Sequence, residues 1–243
     1  MQLHEMDACA LKEALARRET SSVEIVRALI ARRRDVDGRL GAFIARLDQQ
    51  ALQQAEAADR QRQAAASTTE LPPLHGIPLT VKDNIEVAGT DTTLGIQARV
   101  GQPSHKDAVV VGELKQAGAI LLGKTNVPQL LLVQETDNSI FGVTRNPWNS
   151  GRTPGGSSGG EAAALASGQT PLGIGTDIGG SMRIPAHFTG ICALKPTVDR
   201  WSVRGLLGAF EGQAIVRSQL GPMARSVRDL WLLMRAASPE RQS

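Results

Sequence analysis

Fourteen of the 25 glycines in this 243-residue chain fall between Gly151 and Gly212. Glycine loses the most backbone freedom on folding, so such density is kept where the chain needs left-handed angles or a close approach of two backbones. Loops of that kind carry sites. Around them, from Leu71 onward, short β-type runs alternate with short helical ones: 77–81, 119–122, 172–176 and 191–194 read as strands, 108–116 and 161–167 as helices. This alternation predicts an α/β sheet covered by helices.

The first seventy residues read differently. Leu11 and Leu15, then Val26, Leu29 and Ile30, recur at helical spacing, and Ser21 with Glu24 forms a capping-box signature. Arg32, Arg33 and Arg34 are expected as solvated cations near the second helix's C-terminus. An Ala/Gln-rich helix is expected over 47–66, a loop at Ser67, Thr68 and Thr69, and a last amphipathic helix over 226–237. No repeat or linker marks a boundary, so one domain is expected, with a helical region 1–70 and a core 71–237.

Composition limits the function classes. With 41% hydrophobic residues and 27 Lys+Arg against 24 Asp+Glu, the chain is neither disordered nor collagen-like. Its longest apolar runs span a few residues, against roughly 20 for a membrane helix. Glu5 and Asp7 sit where a secretory signal would be apolar, which makes the cytoplasm the expected compartment. Cys9 and Cys192 lack a C-x-x-C spacing and are expected as buried thiols, with no metal or cofactor. The basic surplus lies after residue 181, with 9 basic against 4 acidic side chains. Its arginines are scattered through apolar sequence with almost no aromatic interleaving, which argues against nucleic acid. Trp148, Trp201 and Trp231 are expected as packing anchors, and His4 and His105 as exposed.

The segment Pro154-Gly-Gly-Ser-Ser-Gly-Gly-Glu161 fits poorly with two known loops. A phosphate-binding loop needs Lys and Ser/Thr after the last glycine, where Glu161 would repel phosphate. A nucleophile elbow must follow a strand and be followed by an acid and then a histidine, but 146–154 is no strand. A third arrangement joins Lys82, at the end of a strand-like run, with Ser157 and Ser181. Without a placed histidine, a lysine can act as base if burial keeps its amine neutral. Gly179 and Gly180 before Ser181 free backbone N–H groups to converge, as an oxyanion hole demands.

These blocks carry a family resemblance. Gly155-Gly-Ser-Ser-Gly-Gly-Glu161, Pro171-Leu-Gly-Ile-Gly-Thr-Asp-Ile-Gly-Gly-Ser-Met-Arg-Ile-Pro185 and Gly190-Ile-Cys-Ala-Leu-Lys-Pro-Thr197 resemble the signature of the amidase signature family. His75-Gly-Ile-Pro-Leu-Thr-Val-Lys-Asp-Asn84 and Gly123-Lys-Thr-Asn126 are similar to its upstream blocks. The resemblance implies an α/β fold with a mixed twisted sheet covered by helices on both faces, and a serine hydrolase acting on a small-molecule amide, with Ser181 as nucleophile, Ser157 as bridging serine after a cis peptide, and Lys82 as base. It also implies an oxyanion hole from the N–H groups of Ile178, Gly179, Gly180 and Ser181. Ser158, Asp177 and Arg183 are expected to hold the loop.

Within the family, Glu161, the Thr-Asp-Ile triplet and the Glu211-Gly-Gln-Ala-Ile-Val-Arg-Ser-Gln-Leu-Gly-Pro222 stretch look more like the fatty-acid amide hydrolase and acetamidase branch than the transamidase that works on misacylated tRNA. Family members continue for roughly as many residues again. The resemblance therefore covers a front half, which predicts self-association, a homo-oligomer or a complementing chain, with an inactive fragment as the further alternative.

Overall fold

The computed structural model describes residues 2–67, 70–208 and 217–237. Thr68 and Thr69 of the expected loop, and residues 211–216 of the branch-specific stretch, lie outside the described residues. The chain begins with α1 (Ala8–Ala16), α2 (Ser22–Leu40), β1 (Phe43–Arg46) and α3 (Asp48–Ala64). There follow β2 (Pro78–Lys82), α4 (Val109–Gln116), β3 (Ile120–Thr125), α5 (Gly159–Ala166) and β4 (Leu172–Asp177). It continues through α6 (Arg183–Thr189), β5 (Cys192–Ala193), β6 (Gln219–Ala224) and α7 (Val227–Ala236).

The capping box at Ser21 forms as expected: its hydroxyl accepts from the Glu24 N–H, and the Glu24 carboxylate accepts from the Ser21 N–H. The helix then runs past Arg32–Arg34 to Leu40, where Gly41 takes the left-handed angle (φ 63°) that ends it. The three arginines are therefore central in α2. Arg33 is not solvated: it is 3% exposed, paired with Asp48 and stacked 4.9 Å from the Phe43 ring centre.

The six strands form one mixed sheet in the order β1-β3-β2-β4-β6-β5. β2 runs parallel to β3 and to β4, while β1, β6 and β5 are antiparallel to their neighbours. Alternation along the strands gives each face its own partners. Leu79, Val81, Leu172, Ile174, Leu220 and Ala224 join the main core with Leu114 of α4 and Leu230 and Leu233 of α7. On the opposite face, Met223 packs with Met182 and with Ala162 and Leu165 of α5.

Three elements escape the sequence pattern. β1 has four residues, and α6 carries Pro185 within seven residues. β6 contains Gly221 and Pro222 yet lies between β4 and β5. Proline removes a ladder donor and normally marks an edge; here the Pro222 carbonyl accepts from the Leu194 N–H just beyond the two-residue β5.

Other expectations need correction. Trp201 is buried, whereas Trp148 and Trp231 are exposed. Cys9, Cys192 and His4 are each half-buried. The arginines of the last quarter are largely committed within the chain. Arg183 pairs with Asp177, Arg217 with Asp199 and Arg228 with Asp7, while Arg225 donates to the carbonyls of His4, Met6, Leu165 and Thr170. Among the described residues no helix is long and apolar enough to cross a membrane.

Candidate active site

The parallel strands β2 and β4 deliver their C-terminal ends side by side, where sites of open α/β sheets form. β2 ends in Lys82 and β4 in Asp177. The Gly-Ser loop meets them as it enters α5. Gly160 belongs to the first turn of that helix, and a Cβ there would lie 2.4 Å from the Asn126 N and 2.5 Å from its carbonyl oxygen. Only glycine lets the turn settle this close to the end of β3.

Lys82 is fully buried. Its Nζ donates to Ser157 Oγ at 2.7 Å and to Thr176 Oγ1 at 2.8 Å. Desolvation drives the amine down to about 7, against the opposing pull of Asp177, Asp83 and Glu161. A substantial neutral fraction near pH 7 follows. The peptide bond before Ser157 is cis.

Ser158 ties the loop to β4 and to Ser181. Its N–H donates to the Ser181 carbonyl at 2.9 Å, and its hydroxyl donates to the Thr176 carbonyl at 3.3 Å. Ser181 thus sits beside the Lys82–Ser157 pair. No hydrogen bond joins the side chains of Ser157 and Ser181 among the described residues.

Asp177 organises the turn that presents Ser181. It accepts from the N–H groups of Gly180 (2.8 Å), Met182 (3.1 Å) and Arg183 (3.3 Å), and from Arg183 Nε and Nη2 at 3.0 Å each. Burial alone would raise this carboxyl; the bonds from Arg183 and the three amides outweigh it and hold it at about 2. Gly180 bends the turn with φ 110°. Its N–H is already committed to Asp177, so three of the four expected oxyanion donors, those of Ile178, Gly179 and Ser181, carry no hydrogen bond among the described residues. Ile178 and Gly179 are exposed at the mouth of the site.

Asp177→Asn should cost about 2 kcal/mol in chemical denaturation at pH 7. The sign follows from the depressed carboxyl. Its stabilisation is complete above the ordinary carboxylate range near 4 and disappears as pH falls through about 2. The gap between wild type and variant should therefore close in acid. An equal gap at every pH would remove Asp177 from that role.

Thr176, Glu161 and Asn84 were not singled out as partners of this site by the sequence, yet all three are buried at it. Thr176 bonds Lys82, and Asn84 Oδ1 accepts from Thr176 Oγ1 at 3.4 Å. The Val133 carbonyl would lie 3.0 Å from a Cβ on Gly156, which sets the backbone of residues 133–135 against the Gly-Ser loop.

Comparison with known proteins gives the family of the chain. The Amidase family model matches residues 24–243. A glutamyl-tRNA(Gln) amidotransferase chain from Roseiflexus sp. (strain RS-1) is 46% identical over 96% of this chain and 46% of its own length. Fatty-acid amide hydrolase 1 of Sus scrofa is 49% identical over 67% of this chain and 28% of its own length. A solved structure of fatty acid amide hydrolase superposes with a TM-score of 0.91 at 34% identity, covering 96% of this chain and 41% of that one. The chain spans about half or less of the length of these relatives. By sequence and by fold, it belongs to the amidase signature family.

Proposed function

We propose that this chain carries the acyl-transfer machinery of a serine hydrolase that cleaves the carbon–nitrogen bond of a carboxylic acid amide. The observation that carries the reading is the buried Lys82 Nζ at 2.7 Å from Ser157 Oγ, beside a turn whose N–H groups surround Ser181. In the neutral state of Lys82, the Ser157 hydroxyl donates to Nζ. Ser181 Oγ attacks the amide carbonyl, and its proton passes through Ser157 to Lys82. The C–O bond forms while the N–H groups of Ile178, Gly179 and Ser181 meet the charge on the carbonyl oxygen. The C–N bond then breaks as the proton returns through Ser157 to the leaving nitrogen. Water releases the acyl group by the reverse route.

The Roseiflexus relative favours a second reading, in which the same chemistry serves an amidotransferase that passes nitrogen to misacylated tRNA. One assay separates these. Incubation with a 4-nitroanilide of a medium-chain acid should release nitroaniline and leave an acyl mass on Ser181 without any partner. Acylation that stops after one equivalent would contradict turnover by hydrolysis. Activity that appears with glutamine, tRNA and partner proteins, and never with the anilide, favours the second reading.

A further inference from the structure

Glu161 stands where a phosphate-binding loop would place its lysine, and the acyl-transfer scheme leaves it without a task. It is the third residue of α5 and fully buried. Thr80 Oγ1 donates to its Oε1, and Thr125 Oγ1 donates to its Oε2 at 2.7 Å. Both threonines are same-face neighbours of Lys82. Thr80 lies two residues earlier on β2, and Thr125 is the registered partner of Lys82 on β3. On the other flank, Gly173 of β4 pairs with Thr80, and a Cβ at Gly173 would collide with Glu161 Oε1. Three strands and α5 thus build a slot for one carboxyl next to Lys82. Ser157 and Ser158 lead directly into the helix turn that this carboxyl pins.

We propose that Glu161 is a positioning residue for the Lys82–Ser157 pair: it clamps the first turn of α5 to β2 and β3 and places a negative charge on Lys82's own face of the sheet. The inference rests on the relay reading above. The charged groups around the slot support it. Asp83, following β2, accepts from Thr93 and Leu94 and is countered by Lys124 of β3. Asp177, ending β4, is paired with Arg183 of α6. The remaining ionisable group of α6, His187, is exposed, and β6 has none. The cation acting on Glu161 is Lys82 itself, while burial pushes the carboxyl up to about 7. Two groups that titrate near the same pH and act on each other lose their protons as a pair. Glu161 therefore favours the protonated form of Lys82 and moves the onset of catalysis to higher pH.

The test follows the rate at which a fluorophosphonate probe labels Ser181 in the full chain, between about pH 5 and 9, in wild type, Glu161→Gln and Thr125→Val. Glutamine retains the shape of the slot. The threonine that must accept from its Nε2 can turn its own hydroxyl to a carbonyl 3.4 Å away, Leu172 O for Thr80 or Val81 O for Thr125. Loss of the charge should move the acid limb to lower pH, so that at about pH 7, where the wild-type carboxyl is partly ionised, the fraction of plateau rate rises by up to roughly 2-fold over wild type. Thr125→Val removes one donor to the carboxylate, favours its neutral form and should move the limb the same way by less. A lower plateau with an unmoved midpoint in both variants would show a purely structural role and overturn the inference. Absence of the Ser181 adduct or of the acid limb in wild type would overturn the relay reading, and this inference with it.

Discussion

Ser181→Ala abolishes covalent labelling by a fluorophosphonate and lowers amide turnover by at least about 10³-fold, with the fold retained. The size follows from what the alanine removes. Without Oγ no acyl bond forms, and the residual rate is that of water near a turn of free N–H groups. The substitution leaves the local frame intact, because Ser181 is held through its carbonyl, bonded by the Ser158 N–H, and through the neighbouring amides on Asp177. Unchanged melting together with lost labelling is the expected pair of results. Labelling that persists on Ser157 or Ser158 would assign the nucleophile elsewhere.

Lys82→Met should slow labelling of Ser181 by about 10²–10⁴-fold, the range lost with a general base. The rate should also lose its acid limb. Methionine keeps the apolar stem, so the fold should gain stability while activity is lost. An unfolded lysine titrates near ~10.4, whereas burial brings Lys82 down to about 7. Between these values the unfolded chain binds the proton more tightly, so the buried amine costs stability, and this cost shrinks as pH rises. The variant should be more stable by an amount on the order of 4 kcal/mol at about pH 7 and 2 kcal/mol at about pH 9. A variant that melts below wild type across this range would show that Lys82 is held as an ammonium ion.

Particular residues show how far the sequence could be read. β2, β3 and β4 were legible because continuous runs such as Leu79–Val81 and Leu172–Ile174 are buried on both faces of a parallel sheet. β6 was not, because Gly221 and Pro222 contradict a central strand unless the missing donor faces a short neighbour. Arg33 was read as solvated on charge alone; its partner Asp48 comes from the next helix, a contact that spacing along one helix does not reveal. Lys82, Ser157 and Ser181 were nameable from chemistry and resemblance. Thr176 and Asn84 were not, since a threonine in a strand carries no mark of its bond partner. Glu161 did carry a signal. A lone carboxylate in the run Gly-Gly-Glu-Ala-Ala-Ala-Leu-Ala has no cation one turn away and no polar face to share, which fits a buried charge with partners on another element.

The most direct measurement is the rate of appearance of the probe adduct on wild-type protein between about pH 5 and 10, with the modified residue mapped by peptide mass. A buried amine that begins to accept protons at neutral pH predicts a single adduct on Ser181, with a rate that rises from acid and levels off around a midpoint near about 7. An adduct on Ser157 or Ser158, or a rate still climbing tenfold per pH through about 10 as an ordinary solvated lysine would give, would contradict the account.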